Sequence, residues 1–185
     1  MTSPAAMEYL FDEKILNNAL KIDPKITIKD NFHLRPLARN DFEHGFLAAL
    51  SQLTEVGDVS RERFDEIFDK MKTNGCYYVT VIEDLDTNRI AGSATLFTEY
   101  KFIHGGGLRA RIEDVVVDND YRGQNLGVAL VQTLKSLSQV LHCYKLTLDC
   151  NDQMISWYRK YFDFQIEEGR SNFMTIRFSS SSSSP

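Results

Sequence analysis

Residues 111–141 restrict the fold more than any other part of the chain. They open with Arg111-Ile112-Glu113-Asp114-Val115-Val116-Val117, a β-branched run whose apolar end predicts a central strand. They close with an amphipathic helix from about Gly127, where Leu130, Val131, Leu134, Leu137 and Leu141 fall on one face. A glycine-bearing loop of residues 118–126 joins the two, so a buried strand must run straight into a helix N-terminus.

The remaining elements follow from period and punctuation. Apolar Leu10, Phe11, Ile15 and Leu20 among charges predict a short helix near the start, and a strand runs through Leu34 and Leu37. Asn40 or Asp41 is then read as the cap of a helix burying Phe42, Phe46, Leu47 and Leu50. A second helix starts after Ser60, buries Phe64, Ile67, Phe68 and Met71, and stops at Asn74-Gly75. Residues 76–83 and 89–102 read as a hairpin turning at Asp86-Thr87-Asn88, with Gly105-Gly106-Gly107 before the central strand. After the long helix come a strand over 144–150, a short helix near Trp157 and two closing strands. The order β-α-α-β-β-β-α-β-α-β-β is an α/β (α+β) arrangement, with a mixed, mostly antiparallel central sheet flanked by helices.

At 185 residues and 43% hydrophobic composition the chain has material for one sizeable core. We expect a partly helical extension over 1–30, one domain over 31–178 and a disordered Ser-rich tail over 179–185. A net charge of -5 removes the broad cationic field that non-specific nucleic-acid binding requires, so any anionic ligand must be held locally. Cys76, Cys143 and Cys150 are odd in number and lack C-x-x-C spacing, which argues against a disulfide framework and a cysteine zinc site. With no apolar run of bilayer length and no basic-apolar leader, the cytoplasm is the expected location and no integral membrane segment is expected.

The strand-loop-helix junction is where chemistry is expected. The first turn of a helix has N–H groups without internal partners, and its dipole adds about half a positive charge, so a phosphate is favoured there. Gly123 and Gly127 let the backbone approach closely. A bare glycine pair is more often just a turn. Neither a Gly-Lys-Ser/Thr of a Walker loop nor a G-x-G-x-x-G dinucleotide fingerprint is present.

Arg122-x-x-Asn125-x-Gly127 after an apolar strand resembles the pyrophosphate signature of the GNAT acetyltransferases, [RQ]-x-x-G-x-[GA], with Asn125 at the middle glycine. Asparagine tolerates the left-handed conformation that such a position uses. A narrower resemblance, over residues 32–178, is to the eukaryotic glucosamine 6-phosphate N-acetyltransferases. It is carried by Gln52-Leu53-Thr54-Glu55-Val56-Gly57, Lys101-Phe102-Ile103-His104, Ile112-Glu113-Asp114-Val115-Val116-Val117, Tyr121-Arg122-Gly123-Gln124, Cys143-Tyr144-Lys145-Leu146-Thr147-Leu148-Asp149-Cys150 and Trp157-Tyr158-Arg159-Lys160.

The resemblance implies a GNAT fold and acetyl transfer from acetyl-CoA to the amine of D-glucosamine 6-phosphate. The transfer would be a direct attack in a ternary complex, feeding UDP-N-acetylglucosamine synthesis. It implies that Val115, Val116 and Val117 hold the pantetheine arm and thioester, and that Arg122, Gly123, Gln124, Asn125, Leu126, Gly127 and Val128 hold the pyrophosphate. Thr54, Lys101, Phe102, Ile103, His104, Glu113, Asp114, Asp149 and Arg177 match substrate-contacting positions. Glu113 or Asp149 would orient the amine and take its proton, and Tyr158 would hydrogen-bond the coenzyme A sulfur and protonate it as it leaves. The resemblance also implies a homodimer whose active sites are completed by the partner chain; His104 has no partner cluster of metal-ligand spacing, so no metal site is expected.

Each residue has a plainer reading. Glu113-Asp114 alone is a solvated pair, Tyr158 an aromatic packed by Trp157, His104 a loop histidine, and Thr54 a turn residue. Arg109 and Arg111 are read as ordinary charged surface, and Cys150 as a small unpaired hydrophobe. Two departures from the family fall near Tyr158: Met154 replaces an asparagine, and Tyr161-Phe162-Asp163-Phe164 carries one extra residue. A GNAT enzyme acting on polyamines or protein lysines, and an acyl-CoA-binding module without turnover, are the rivals.

Overall fold

The computed structural model describes residues 7–24, 26–169 and 174–176. The chain divides into two compact units, Met1–Leu148 and Asp149–Pro185.

The first unit is built on five strands in the spatial order β1-β2-β3-β4-β5. These are β1 (Phe32–Pro36), β2 (Tyr77–Asp84), β3 (Arg89–Tyr100), β4 (Leu108–Val117) and β5 (Cys143–Leu148). The first three pairings are antiparallel and β4 pairs β5 in parallel, as a mixed, mostly antiparallel sheet requires. A parallel pair needs a crossover, and the helix α4 (Leu126–Val140) supplies it. Its Leu126, Leu130, Leu134 and Leu137 are buried, and α4 packs on β3 and β4.

Helix α1 (Glu13–Ile22) starts at Asp12, whose carboxylate accepts from Lys14 N at 2.9 Å, and it packs on α4 through buried Leu16 and Ala19. Helix α2 (Phe46–Leu50) and helix α3 (Arg61–Asn74) follow β1. Ser60 caps α3 and Gly75, at φ 71°, ends it where the sequence places its stop. Leu10, Leu37, Phe46, Ala49, Phe64, Phe68, Val79, Val81 and Ile90 form one apolar core among these elements.

The helix expected from Asn40 or Asp41 is instead a 3-10 turn over Arg39–Phe42 followed by the short α2. Two causes are visible. The buried Asp41 carboxylate turns inward, accepting from Ala38 N at 2.7 Å and from the Arg35 guanidinium at 2.7 and 2.8 Å. Gly45, at φ 84°, then breaks the helical path. The strand boundaries also shift: β3 ends at Tyr100, β4 begins at Leu108, and β5 spans Cys143–Leu148 instead of 144–150.

The second unit contains α5 (Asp152–Phe162), which ends where Asp163 turns left-handed at φ 64°. The two closing strands are not seen among the described residues that follow α5. Residues 170–173 and 177–185, including Arg177 and the Ser-rich tail, lie outside the described residues.

Candidate active site

Strand β4 is irregular where the candidate residues lie. Thr95 pairs with Glu113 and Ser93 with Val116, so β4 advances three residues while β3 advances two. The extra residue is a bulge, and Asp114 occupies it at φ 51°. A one-residue insertion turns the side chains beyond it to the opposite face of the sheet. Pairing to β5 stops at Ile112↔Leu148, so residues 113–117 have no strand on that side among the described residues. Their backbone groups there form an open edge, able to hydrogen-bond an extended amide-containing chain.

Glycine is required beneath this edge. A Cβ on Gly92 would lie 2.9 Å from the Val116 carbonyl oxygen and 3.3 Å from Leu130 Cδ1. Gly92 thus lets α4 and the bulged end of β4 close onto β3.

Beyond Val117 the chain enters a short 3-10 turn over Asn119–Tyr121 that is tied down on several sides. The buried Asp118 carboxylate accepts from Asp120 N at 2.9 Å, and Asn119 N donates to Gln52 Oε1 at 2.8 Å. Tyr121 Oη donates to Asp84 Oδ2 at 2.9 Å, and Thr87 Oγ1 donates to the same oxygen at 2.7 Å. Those hydroxyls, Thr87 first and then Tyr121, hold the Asp84 carboxyl below the usual carboxylate range. Arg89 lies 3.5 Å from Asp118 and 3.7 Å from Asp120.

From this anchored turn the backbone passes through Gly123 at φ 80° and Asn125 at φ 61°, ψ 15°, and α4 begins at Leu126. Asparagine adopts the left-handed conformation at the position where the resemblance has a glycine. The Asn125 side chain does not cap the helix, and the Asn125 carbonyl accepts the first helical bond, from Ala129 N at 3.0 Å. The amides of Leu126, Gly127 and Val128 are in the first turn and lack intrahelical acceptors. Those of Gly123, Gln124 and Asn125 have no backbone acceptor among the described residues. Consecutive open amides at the positive end of a helix dipole make a site for a phosphate or diphosphate. No acidic side chain occupies the first turn of α4 to compete.

Of the expected site residues, Glu113, Asp114, Val115, Val116 and Val117 share one strand end, and Arg122, Gly123, Gln124, Asn125, Leu126, Gly127 and Val128 continue from it. Thr54 is exposed in the turn after α2, two residues from the Gln52 that holds Asn119. Lys101, Phe102, Ile103 and His104 are elsewhere, in the loop between β3 and β4 at the opposite end of β4. There Lys101 Nζ pairs with Glu99 at 2.7 Å, and the His104 ring lies 4.3 Å from Tyr144. Phe102 and Ile103 are exposed.

Arg111, read from sequence as ordinary surface, is ion-paired with Glu113 and so holds the candidate carboxylate along the strand. Alternation could have found it, since positions two apart on a strand share a face. Tyr121 and Gln52 gave no comparable signal, because their roles depend on partners 37 and 67 residues away.

Asp149 and Tyr158 belong to the second unit. Asp149 is exposed, while Tyr158 is buried on α5 with its ring 4.8 Å from Trp157 and 6.0 Å from Phe164. Burial, and secondarily Cys150, pushes the Tyr158 phenol above its ordinary value, which keeps it protonated and able to donate. Arg177 lies outside the described residues.

Residues 38–164 match the Acetyltransferase (GNAT) family. A probable glucosamine 6-phosphate N-acetyltransferase of Drosophila melanogaster is 48% identical over 78% of the chain and 66% of its own length, so the chain spans about two thirds of that relative. Glucosamine 6-phosphate N-acetyltransferase 1 of Dictyostelium discoideum is 38% identical over 72% of the chain and 85% of its own length. The crystal structure of glucosamine-6-phosphate N-acetyltransferase from Arabidopsis thaliana superposes with a TM-score of 0.75 at 33% identity, covering 80% of this chain and 99% of that one. With the bulged, half-paired β4 and the open loop before α4, these similarities establish that the chain belongs to the GNAT acetyltransferase family, in its glucosamine 6-phosphate N-acetyltransferase group.

Proposed function

We propose that this chain transfers the acetyl group of acetyl-CoA to the amine of D-glucosamine 6-phosphate, giving N-acetyl-D-glucosamine 6-phosphate and CoA. The observation that carries this reading is the continuity of two open backbone surfaces: the unpaired edge of β4 over 113–117, and the free amides over 123–128. The first suits the amide-bearing pantetheine arm and the second its diphosphate, so one molecule can satisfy both. The acceptor is taken from the relatives, whose names specify it. The product is a precursor suited to UDP-N-acetylglucosamine synthesis.

The work assigned to the chain has three parts. Backbone N–H groups of the bulged strand face the carbonyl oxygen as it gains charge, while the valine side chains shield it from water. A carboxylate, Glu113 or Asp149, holds the amine and receives its proton as nitrogen attacks. Tyr158 gives its proton to the departing thiolate sulfur, burial keeping the phenol protonated until that transfer. The acyl group passes directly between the two substrates.

The proposed assembly is a homodimer with shared sites. Lys101 N is bonded to Gly107 O, which places Lys101 level with the start of β4. At about 3.3 Å per residue, Glu113 is then roughly 20 Å further along the strand. A hexosamine phosphate is far shorter, so Lys101 and His104 serve a site at the bulge of a second copy. Exposed Tyr100, Phe102 and Ile103 are an apolar tip suited to that contact. The proposed setting is the cytoplasm, in keeping with three free cysteines.

Steady-state rates with acetyl-CoA and a panel of amines test the acceptor. The expected order places glucosamine 6-phosphate far above glucosamine, spermidine and a lysine peptide. Higher kcat/KM for any of those three overturns the assignment.

A further inference from the structure

The N-terminal extension lacks a role in the reading above, yet it ends beside the phosphate loop. Its segment between α1 and β1 is fixed at both ends. At one end, Leu16 and Ala19 of α1 are buried and the Gln132 side chain of α4 donates to Asp23. At the other, Phe32 N donates to Lys29 O at 2.9 Å, Leu85 N to Asn31 O at 2.8 Å, and Asn31 Nδ2 to Asp86 Oδ2 at 3.3 Å.

This anchoring delivers Lys29 to Gln124, where its ammonium donates to Oε1 at 2.7 Å. Gln124 lies between Gly123 and Asn125, in the middle of the open amides. Several other cations of the first unit are matched by carboxylates: Arg89 by Asp118 and Asp120, Lys72 by Glu8, Lys101 by Glu99. Lys29 has no carboxylate partner among the described residues, and the neutral Gln124 amide leaves its charge uncompensated. An exposed ammonium, held at the rim of a surface that already favours anions, adds a positive charge with freely rotating donors.

We propose that Lys29 binds a phosphate group at the nucleotide end of acetyl-CoA, making the N-terminal extension part of the cosubstrate site. The inference rests on the cosubstrate reading of the loop. In the bound state the ammonium leaves Gln124 Oε1, or shares it, and contacts phosphate oxygen.

Calorimetric titration of the full chain with CoA and with 3′-dephospho-CoA, at low and raised salt, tests this for wild type, Lys29→Met and Lys29→Arg. Lys29→Met should weaken CoA binding about twofold to fivefold, as for an exposed charge pair, with a loss that shrinks as salt rises. Lys29→Arg should bind within about twofold of wild type. A penalty absent with 3′-dephospho-CoA assigns the contact to the 3′-phosphate, and an equal penalty assigns it to the diphosphate. Unchanged affinity in Lys29→Met, or a loss indifferent to salt and shared by Lys29→Arg, overturns the proposal while leaving the loop assignment standing. Absence of saturable CoA binding by wild type overturns both.

Discussion

Asn125 stands in the left-handed region at φ 61°, a conformation that costs most residues about 1–2 kcal/mol but asparagine and glycine much less. Asn125→Gly should therefore retain stability and acetyl-CoA affinity. Asn125→Val should lose about 1–2 kcal/mol and raise KM for acetyl-CoA, by denaturant titration and initial rates; a silent valine would show that this backbone angle is not needed. Tyr158 gives a second prediction. Because burial raises its pKa, an alkaline fall in kcat due to its ionisation should have its midpoint above the ordinary tyrosine value of 10. Tyr158→Phe should lower kcat by about a hundredfold, the lower range for lost acid catalysis, with acetyl-CoA binding nearly unchanged. Equal turnover in the phenylalanine variant removes the acid role.

At the scale of elements, the bulged end of β4 depends on Gly92. Gly92→Ala would push a methyl group to 2.9 Å from the Val116 carbonyl, a backbone atom that can yield only by moving the strand. Expected are a loss of roughly 1–3 kcal/mol in stability and weaker acetyl-CoA binding together, checked by thermal melting and calorimetry. The strand-loop-helix junction was legible in the sequence because Val115, Val116 and Val117 run into the leucine stripe of α4 across a loop with only Gly123 to turn it. The bulge was not, since Asp114 looks like any strand residue until its pairing with β3 is counted. Period likewise failed at residues 39–50, where the pull of buried Arg35 on Asp41 outweighs helix propensity. The contacts of Lys29 and Tyr121 are illegible for a related reason: each acts on a partner distant in the chain, which no local pattern announces.

Across the molecule, the N-terminal residues are clasped to the rest of the first unit. Tyr9 bridges Ala38, Leu10 N donates to Leu37 O at 2.8 Å, and Glu8 accepts from Arg39 and Lys72. Those hydrogen bonds, Arg39 first, lower the Glu8 pKa from 4.5 to about 2. A depressed carboxyl pKa stabilises the fold above its unfolded value and loses that contribution as pH falls through the folded one. The melting temperatures of wild type and Glu8→Gln should therefore differ near neutrality and converge between pH 4.5 and about 2. A constant gap across that window would separate the clasp from the Glu8 charge. If the clasp also steadies the segment bearing Lys29, the extension links stability to cosubstrate binding.

Binding of the cosubstrate depends on backbone amides that the fold leaves without partners. Residue-resolved amide hydrogen exchange, with and without saturating acetyl-CoA, interrogates them individually. The account predicts slowed exchange concentrated at residues 115–117 and 123–128, with the sheet around β1 and β2 unaffected. Unchanged exchange at 123–128 under saturating acetyl-CoA would contradict it.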